Sequence, residues 1–128
     1  MMAHLEHVNV TVDDPDVTAQ LFVDLFGWRV RWAGSSDGIA QSVHVGGDGF
    51  YVALYTGPNG APRGTADPTC RTKAGLNHIG VVVDDLSAIE AAVKTKGFTI
   101  HSHASYEPGQ RFYFREDNGI EIECVCYT

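Results

Sequence analysis

The chain has 128 residues, about one domain's worth of protein, and its 44% hydrophobic and 20% charged content excludes wholesale disorder. Nine Lys and Arg against sixteen Asp and Glu give a formal net charge of −7, which argues against nucleic-acid or anionic-membrane partners, since both need a basic patch. No run nears the ~18 apolar residues of a spanning helix. The N-terminus has no signal-peptide pattern, and Cys70, Cys124 and Cys126 make no disulfide framework, so a reduced, cytoplasmic protein is expected.

Alternation opens the chain. Val8, Val10 and Val12 share one face and His7, Asn9 and Thr11 the other, which predicts a strand with one face on a core. Asp14 then offers a capping oxygen and Pro15 suits the first helical position. Val17, Leu21, Phe22 and Leu25 follow at helical spacing, so a helix is predicted over 15–26, with Gly27 ending it. Strands are predicted near 28–33, 39–46 and 49–56, separated by Gly- and Asp-containing turns. Residues 57–75, with Gly57, Pro58, Asn59, Gly60, Pro62, Gly64, Pro68 and Gly75, read as a linker or surface loop.

The order then repeats. Leu5-Glu6-His7-Val8-Asn9-Val10-Thr11-Val12-Asp13-Asp14 and Leu76-Asn77-His78-Ile79-Gly80-Val81-Val82-Val83-Asp84-Asp85 agree at six of ten positions, including the His and the closing Asp-Asp. A strand over 76–83 and a helix over 86–96 lead to strands near 98–103, 110–115 and 119–127. The last two are joined by the turn Glu116-Asp117-Asn118-Gly119. One domain over 1–128 is expected, built of two βαβββ modules, about 4–56 and 76–127. The linker allows a closed monomer or a partner-exchanged dimer.

These features resemble the vicinal oxygen chelate superfamily, which includes glyoxalase I, bleomycin-resistance proteins, fosfomycin-resistance enzymes and extradiol dioxygenases. The resemblance runs from about Leu5 to Tyr127. It is carried by Leu5-Glu6-His7-Val8, by Leu76-Asn77-His78-Ile79, and by Phe112-Tyr113-Phe114-Arg115-Glu116-Asp117-Asn118-Gly119-Ile120-Glu121-Ile122-Glu123. It implies an α+β fold whose curled mixed sheets form a groove with a divalent metal in it, and commonly a homodimer. The implied function is a metal-dependent enzyme whose small substrate chelates the metal through two neighbouring oxygens.

Any one histidine alone could be an ordinary strand residue. Repeat equivalence, shared parity and a matching carboxylate instead point to His7, His78 and Glu123 as metal ligands, a set that suits a first-row divalent ion. Glyoxalase I has a fourth ligand on the last strand of its first module. Ala53 occupies that place here, with Tyr51 and Tyr55 beside it as candidate substrate-wall residues. The three-ligand pattern favours Fe(II) and dioxygenase-type chemistry over Zn, Ni, Mn or Co and lyase or isomerase chemistry, where Glu123 doubles as base. Tyr113 is implied as a hydrogen-bonding partner of a bound substrate oxygen. His101 and His103 alternate with Ile100 and Ser102, so both could face the groove. His103 is a candidate acid–base group, with a surface histidine as the competing reading. Asn9 shares the face of His7 and is a candidate substrate contact. Of Gln41 and His44, at most one reaches the groove. Cys124 and Cys126 have the parity of core residues. The alternative is a metal-free, bleomycin-resistance-type binding protein, with Trp28, Trp32, Phe50, Tyr51 and Tyr55 lining its groove.

Overall fold

The computed structural model describes residues 1–35, 37–64, 69–106 and 109–127. Pro68, one of the residues that mark the linker, lies outside them. The chain divides into two compact units, Met1–Arg63 and Gly64–Thr128.

In the first unit, β1 (His7–Thr11) leads into α1 (Pro15–Phe26), followed by β2 (Arg29–Gly34), β3 (Ser42–Gly46) and β4 (Tyr51–Tyr55). Asp14 caps α1, its carboxylate accepting from the N–H groups of Asp16 and Val17. Gly27 ends the helix in the left-handed region at φ 70°, where a side chain would be strained. The sheet order is β1-β4-β3-β2, with β1 parallel to β4 and the other pairs antiparallel. On the face covered by α1, Ala19, Phe22 and Leu25 bury against Val43, Val45, Val52 and Leu54.

β3 starts three residues later than the sequence pattern predicts. Asp37 takes the N–H groups of Ile39 and Ala40 on its own carboxylate, both at 2.9 Å. The N–H of Gln41 goes to the Thr56 hydroxyl. With those donors engaged, residues 39–41 turn instead of joining the ladder.

In the second unit, β5 (Ile79–Val82), α2 (Leu86–Thr95), β6 (Ile100–Tyr106), β7 (Gly109–Arg115) and β8 (Glu121–Cys126) repeat the plan. The sheet order is β5-β8-β7-β6, again with its first pair parallel. Asp85 caps α2 by accepting from Ala88 N–H. Val81, Val93, Phe112, Phe114, Ile122 and Cys124 form the core. β6 begins two residues late because Gly97 and Phe98 donate back to Lys94 and Val93 at the helix end. Likewise the carboxyl of Glu116 accepts from Ile120 N–H and Asn118 Nδ2 and closes the turn before β8. Burial, its largest cause, raises that carboxyl above the usual range.

Both sheets carry a β-bulge at the same place, between Val30 and Trp32 in β2 and between Ile100 and Ser102 in β6. Each unit is thus a βαβββ module with one helix on one sheet face.

Candidate functional site

On the helix-free face of the second module, one row of paired residues reads Gly80, Glu123, Tyr113, Ser102 across β5, β8, β7 and β6. The Tyr113 hydroxyl donates to Glu123 Oε2 at 2.5 Å. His78, immediately before β5, brings Nε2 to 3.8 Å from the same oxygen. Arg111 Nη1 stands 3.7 Å from it. Gly80, beside Glu123, sends no side chain over the carboxylate; a Cβ there would lie 3.7 Å from Oε1. Glu123 is nearly enclosed, its side chain 12% exposed, whereas His78 keeps 38% of its side chain open. One carboxylate therefore gathers an imidazole, a phenol and a guanidinium.

Beside this cluster lies a second one. His101 Nε2 sits 3.2 Å from Glu121 Oε1, and Arg115 approaches the other oxygen at 4.0 Å. His101 keeps the face that alternation from Ile100 gives it, and the bulge reverses the parity of the later residues of β6. His103 consequently pairs with the core residue Phe112 and points to α2, where its Nε2 lies 2.8 Å from Glu90 Oε1. The His103 hydrogen bond and then Lys94 hold the Glu90 carboxyl below its usual range. The structure thus places His103 on the helix side, away from Glu123. Regular alternation through β6 would have set both histidines on one face; the extra residue breaks it. Arg111 is missed by sequence reasoning, although its parity with Tyr113 and Arg115 is visible there.

On the helix-free face of the first module, the equivalent row is Asn9, Ala53, His44, Trp32. Ala53 occupies the register position of Glu123, His44 that of Tyr113, and Trp32 that of Ser102. This face carries no carboxylate in the row; it carries stacked rings. Tyr51, on the central strand β4, stacks with His7 at 4.6 Å and 7° and with His44 at 4.4 Å and 18°. Trp32 leans on His44 at 4.9 Å, and the Arg31 guanidinium lies 4.9 Å from the Tyr51 ring centre. His44, not Gln41, reaches this face. Burial first, then the neighbouring His7 and Arg31, hold its imidazole below the usual range. Nδ1 of His7 donates to Glu6 Oε1 at 2.9 Å, and that bond is the main reason the Glu6 carboxyl lies low. Asn9 is exposed, and Tyr55 sits half-buried beside Thr11.

The aromatic lining divides between faces. Trp28 packs on Phe22, Phe26 and Phe50 at the end of α1. Only Trp32, Tyr51 and Tyr55 of the five aromatics belong to the helix-free face. Cys124 is a core residue, its thiol pushed up to about 12 by burial and then by the Glu123 charge. Cys126 is half-buried, its sulfur 3.7 Å from the Asp84 carbonyl.

Among the described residues, no three His, Cys, Asp or Glu side chains are gathered to hold a metal ion. The pair His78 and Glu123 is nevertheless of the right chemistry. Its 3.8 Å separation is too long for a hydrogen bond. It lies within the span of two metal–ligand bonds of about 2.1 Å each. His7 belongs to the first unit.

The comparisons with known proteins agree with this architecture. No curated protein matches the chain. A glyoxylase/bleomycin resistance protein/dioxygenase domain from Frankia sp. EAN1pec is 20% identical with a TM-score of 0.81, covering 100% of both chains. The fosfomycin resistance protein FosX from Listeria monocytogenes is 15% identical with a TM-score of 0.69, over 100% of this chain and 96% of that one. Lactoylglutathione lyase from Agrobacterium tumefaciens is 14% identical with a TM-score of 0.66, over 98% and 94%. At such identities the likeness shows the fold alone. The family profile matches residues 4–124, nearly the whole chain. With its paired βαβββ modules and helix-free faces of matching register, the chain belongs to the Glyoxalase/Bleomycin resistance protein/Dioxygenase superfamily.

Proposed function

We propose that the protein is a divalent-metal enzyme acting on a small molecule that presents two neighbouring oxygens, with His7, His78 and Glu123 as ligands. The observation that carries this reading is the convergence of His78, Tyr113 and Arg111 on a single oxygen of Glu123. When bound, the cation supplies Lewis acidity toward the substrate oxygens. The chain's own groups do the rest. Tyr113, able both to donate and to accept, holds a proton at its hydroxyl beside Glu123 and exchanges it with a substrate oxygen. Arg111, 8% exposed, sets a fixed positive charge beside the carboxylate. Asn9, Tyr51 and Tyr55 are the substrate contacts in this reading. Ala53 in place of a carboxylate favours Fe(II) and oxygen-dependent cleavage over isomerase chemistry in this reading. A homodimer is the assembly we propose.

Metal analysis tests the reading, on protein as purified and after incubation with Fe(II), Mn, Ni or Zn. The parent is expected to retain the ion, and His78→Ala and Glu123→Ala to lose it. Tyr113→Phe is expected to keep the metal while turnover of a catechol, read as oxygen uptake, falls about 10²-fold. A parent that takes up none of the four ions sinks the proposal.

One observation favours a second reading, a metal-free small-molecule binding protein. Trp32 is 50% exposed on the face where Ala53 stands in the carboxylate's register position, which leaves part of an indole that leans on His44 open to a flat ligand. Ligand binding unchanged by a chelator would move this reading ahead.

A further inference from the structure

We infer that Glu6 is a positioning residue that selects the tautomer and the edge His7 presents, leaving Nε2 as its ligating nitrogen. The metal half of this inference rests on the function proposed above; the tautomer does not.

Two contacts constrain the imidazole in different ways. The stack on Tyr51, 4.6 Å away and tilted by only 7°, sets the plane of the ring. Tyr51 is itself braced by His44 and Arg31. A plane alone does not decide which edge points where, because a half-turn about the second side-chain torsion exchanges Nδ1 for a carbon within the same plane. The Glu6 carboxylate makes that choice. It accepts from Nδ1 at 2.9 Å, so in the neutral ring the proton sits on Nδ1 and the lone pair on Nε2. A carboxylate behind an imidazole also raises the basicity of the opposite nitrogen. Stability does not account for the pair, because the side chains of His7 and Glu6 are 43% and 54% exposed and such contacts contribute little. The second module does not repeat the device. Asn77 precedes His78 there, and it is Glu123 that faces the His78 imidazole.

Nitrogen-detected NMR of the metal-free protein at pH 8, above the ordinary imidazole range of about 6.5, reads the His7 tautomer directly. Competition with a chelator reads affinity for zinc(II), the probe metal. The parent is expected to show the Nδ1–H form. Glu6→Ala should give mixed tautomers and bind zinc about 10–100-fold more weakly, with an unchanged melting curve. Glu6→Asp should restore both. An Nε2–H ring in the parent, or parent-like zinc affinity in Glu6→Ala, overturns the inference. His78→Ala separates the two ideas: it should lose zinc and leave the His7 tautomer untouched. A parent that binds no zinc removes the metal half, and one that takes up none of Fe(II), Mn, Ni or Zn removes the proposed function with it. The tautomer then decides alone whether Glu6 orients the ring.

Discussion

At the scale of single residues, Glu123 and Ala53 occupy the same register position in two copies of one motif and give their modules opposite character. The carboxylate draws an imidazole, a phenol and a guanidinium to one point. Without it, the corresponding place is filled by stacked rings, with His44 where Tyr113 stands in the other copy. His44 is partly buried and lies near His7 and Arg31, so its folded-state pKa is depressed. The unfolded chain then binds the proton more readily. Stability contributed by neutral His44 is present above the imidazole's ordinary pKa of about 6.5 and is lost as pH falls from there through the depressed folded value. Melting temperatures of the parent should therefore drop more between pH 7.5 and pH 5 than those of His44→Phe, which keeps the stack and cannot titrate. Parallel pH profiles for the two proteins would contradict this.

At the scale of elements, short side chains and a bulge override hydrophobic pattern. Ile39 and Ala40 are apolar, yet Asp37 captures their N–H groups and delays β3. Asp37→Ala frees those two N–H groups and removes the turn that sets the register of β3. It should lower the midpoint of chemical denaturation, as loss of a helix cap does. An unchanged midpoint would show that the turn forms without it. In β6, one extra residue separates His101 from His103 and sends one to the Glu121 cluster and the other to α2. Nothing in the local sequence marks that bulge, because it is set by pairing with β7. Its twin in β2 shows that the two modules share the device although their residues there differ. Gly34 has a similarly local reason: a Cβ would lie 2.8 Å from the Trp32 indole, so the glycine lets the ring fold over β2.

At the scale of the whole molecule, each unit has its own core and its own helix. Phe22 closes the first core and Phe112 the second, both almost fully buried. Truncating either to Ala should cost about 3–5 kcal/mol, the usual loss for a buried phenylalanine. Reversible unfolding monitored by circular dichroism checks this; a loss under about 1 kcal/mol at either position would mean that its core closes around the gap. The described residues contain no helix long and apolar enough to cross a membrane.

Sequence by itself determined the module plan. Six shared residues in ten, a cap and a terminating glycine for α1, and strict alternation after His7 are local features, and local physics suffices to read them. The placement of Ala53 in the register of Glu123 also came from parity, because both final strands are regular. Tertiary structure alone decided what depends on partners distant in the chain. Arg111 joins Glu123 only because β7 and β8 pair in one register. Trp28 and Phe50 turn to the helix side because α1 ends beside them. His103 leaves the Glu123 face because a bulge answers the pairing of β6 with β7. Strand periodicity tells which residues share a face until one residue is added to a strand. From that point only the pairing itself can say which way a side chain looks.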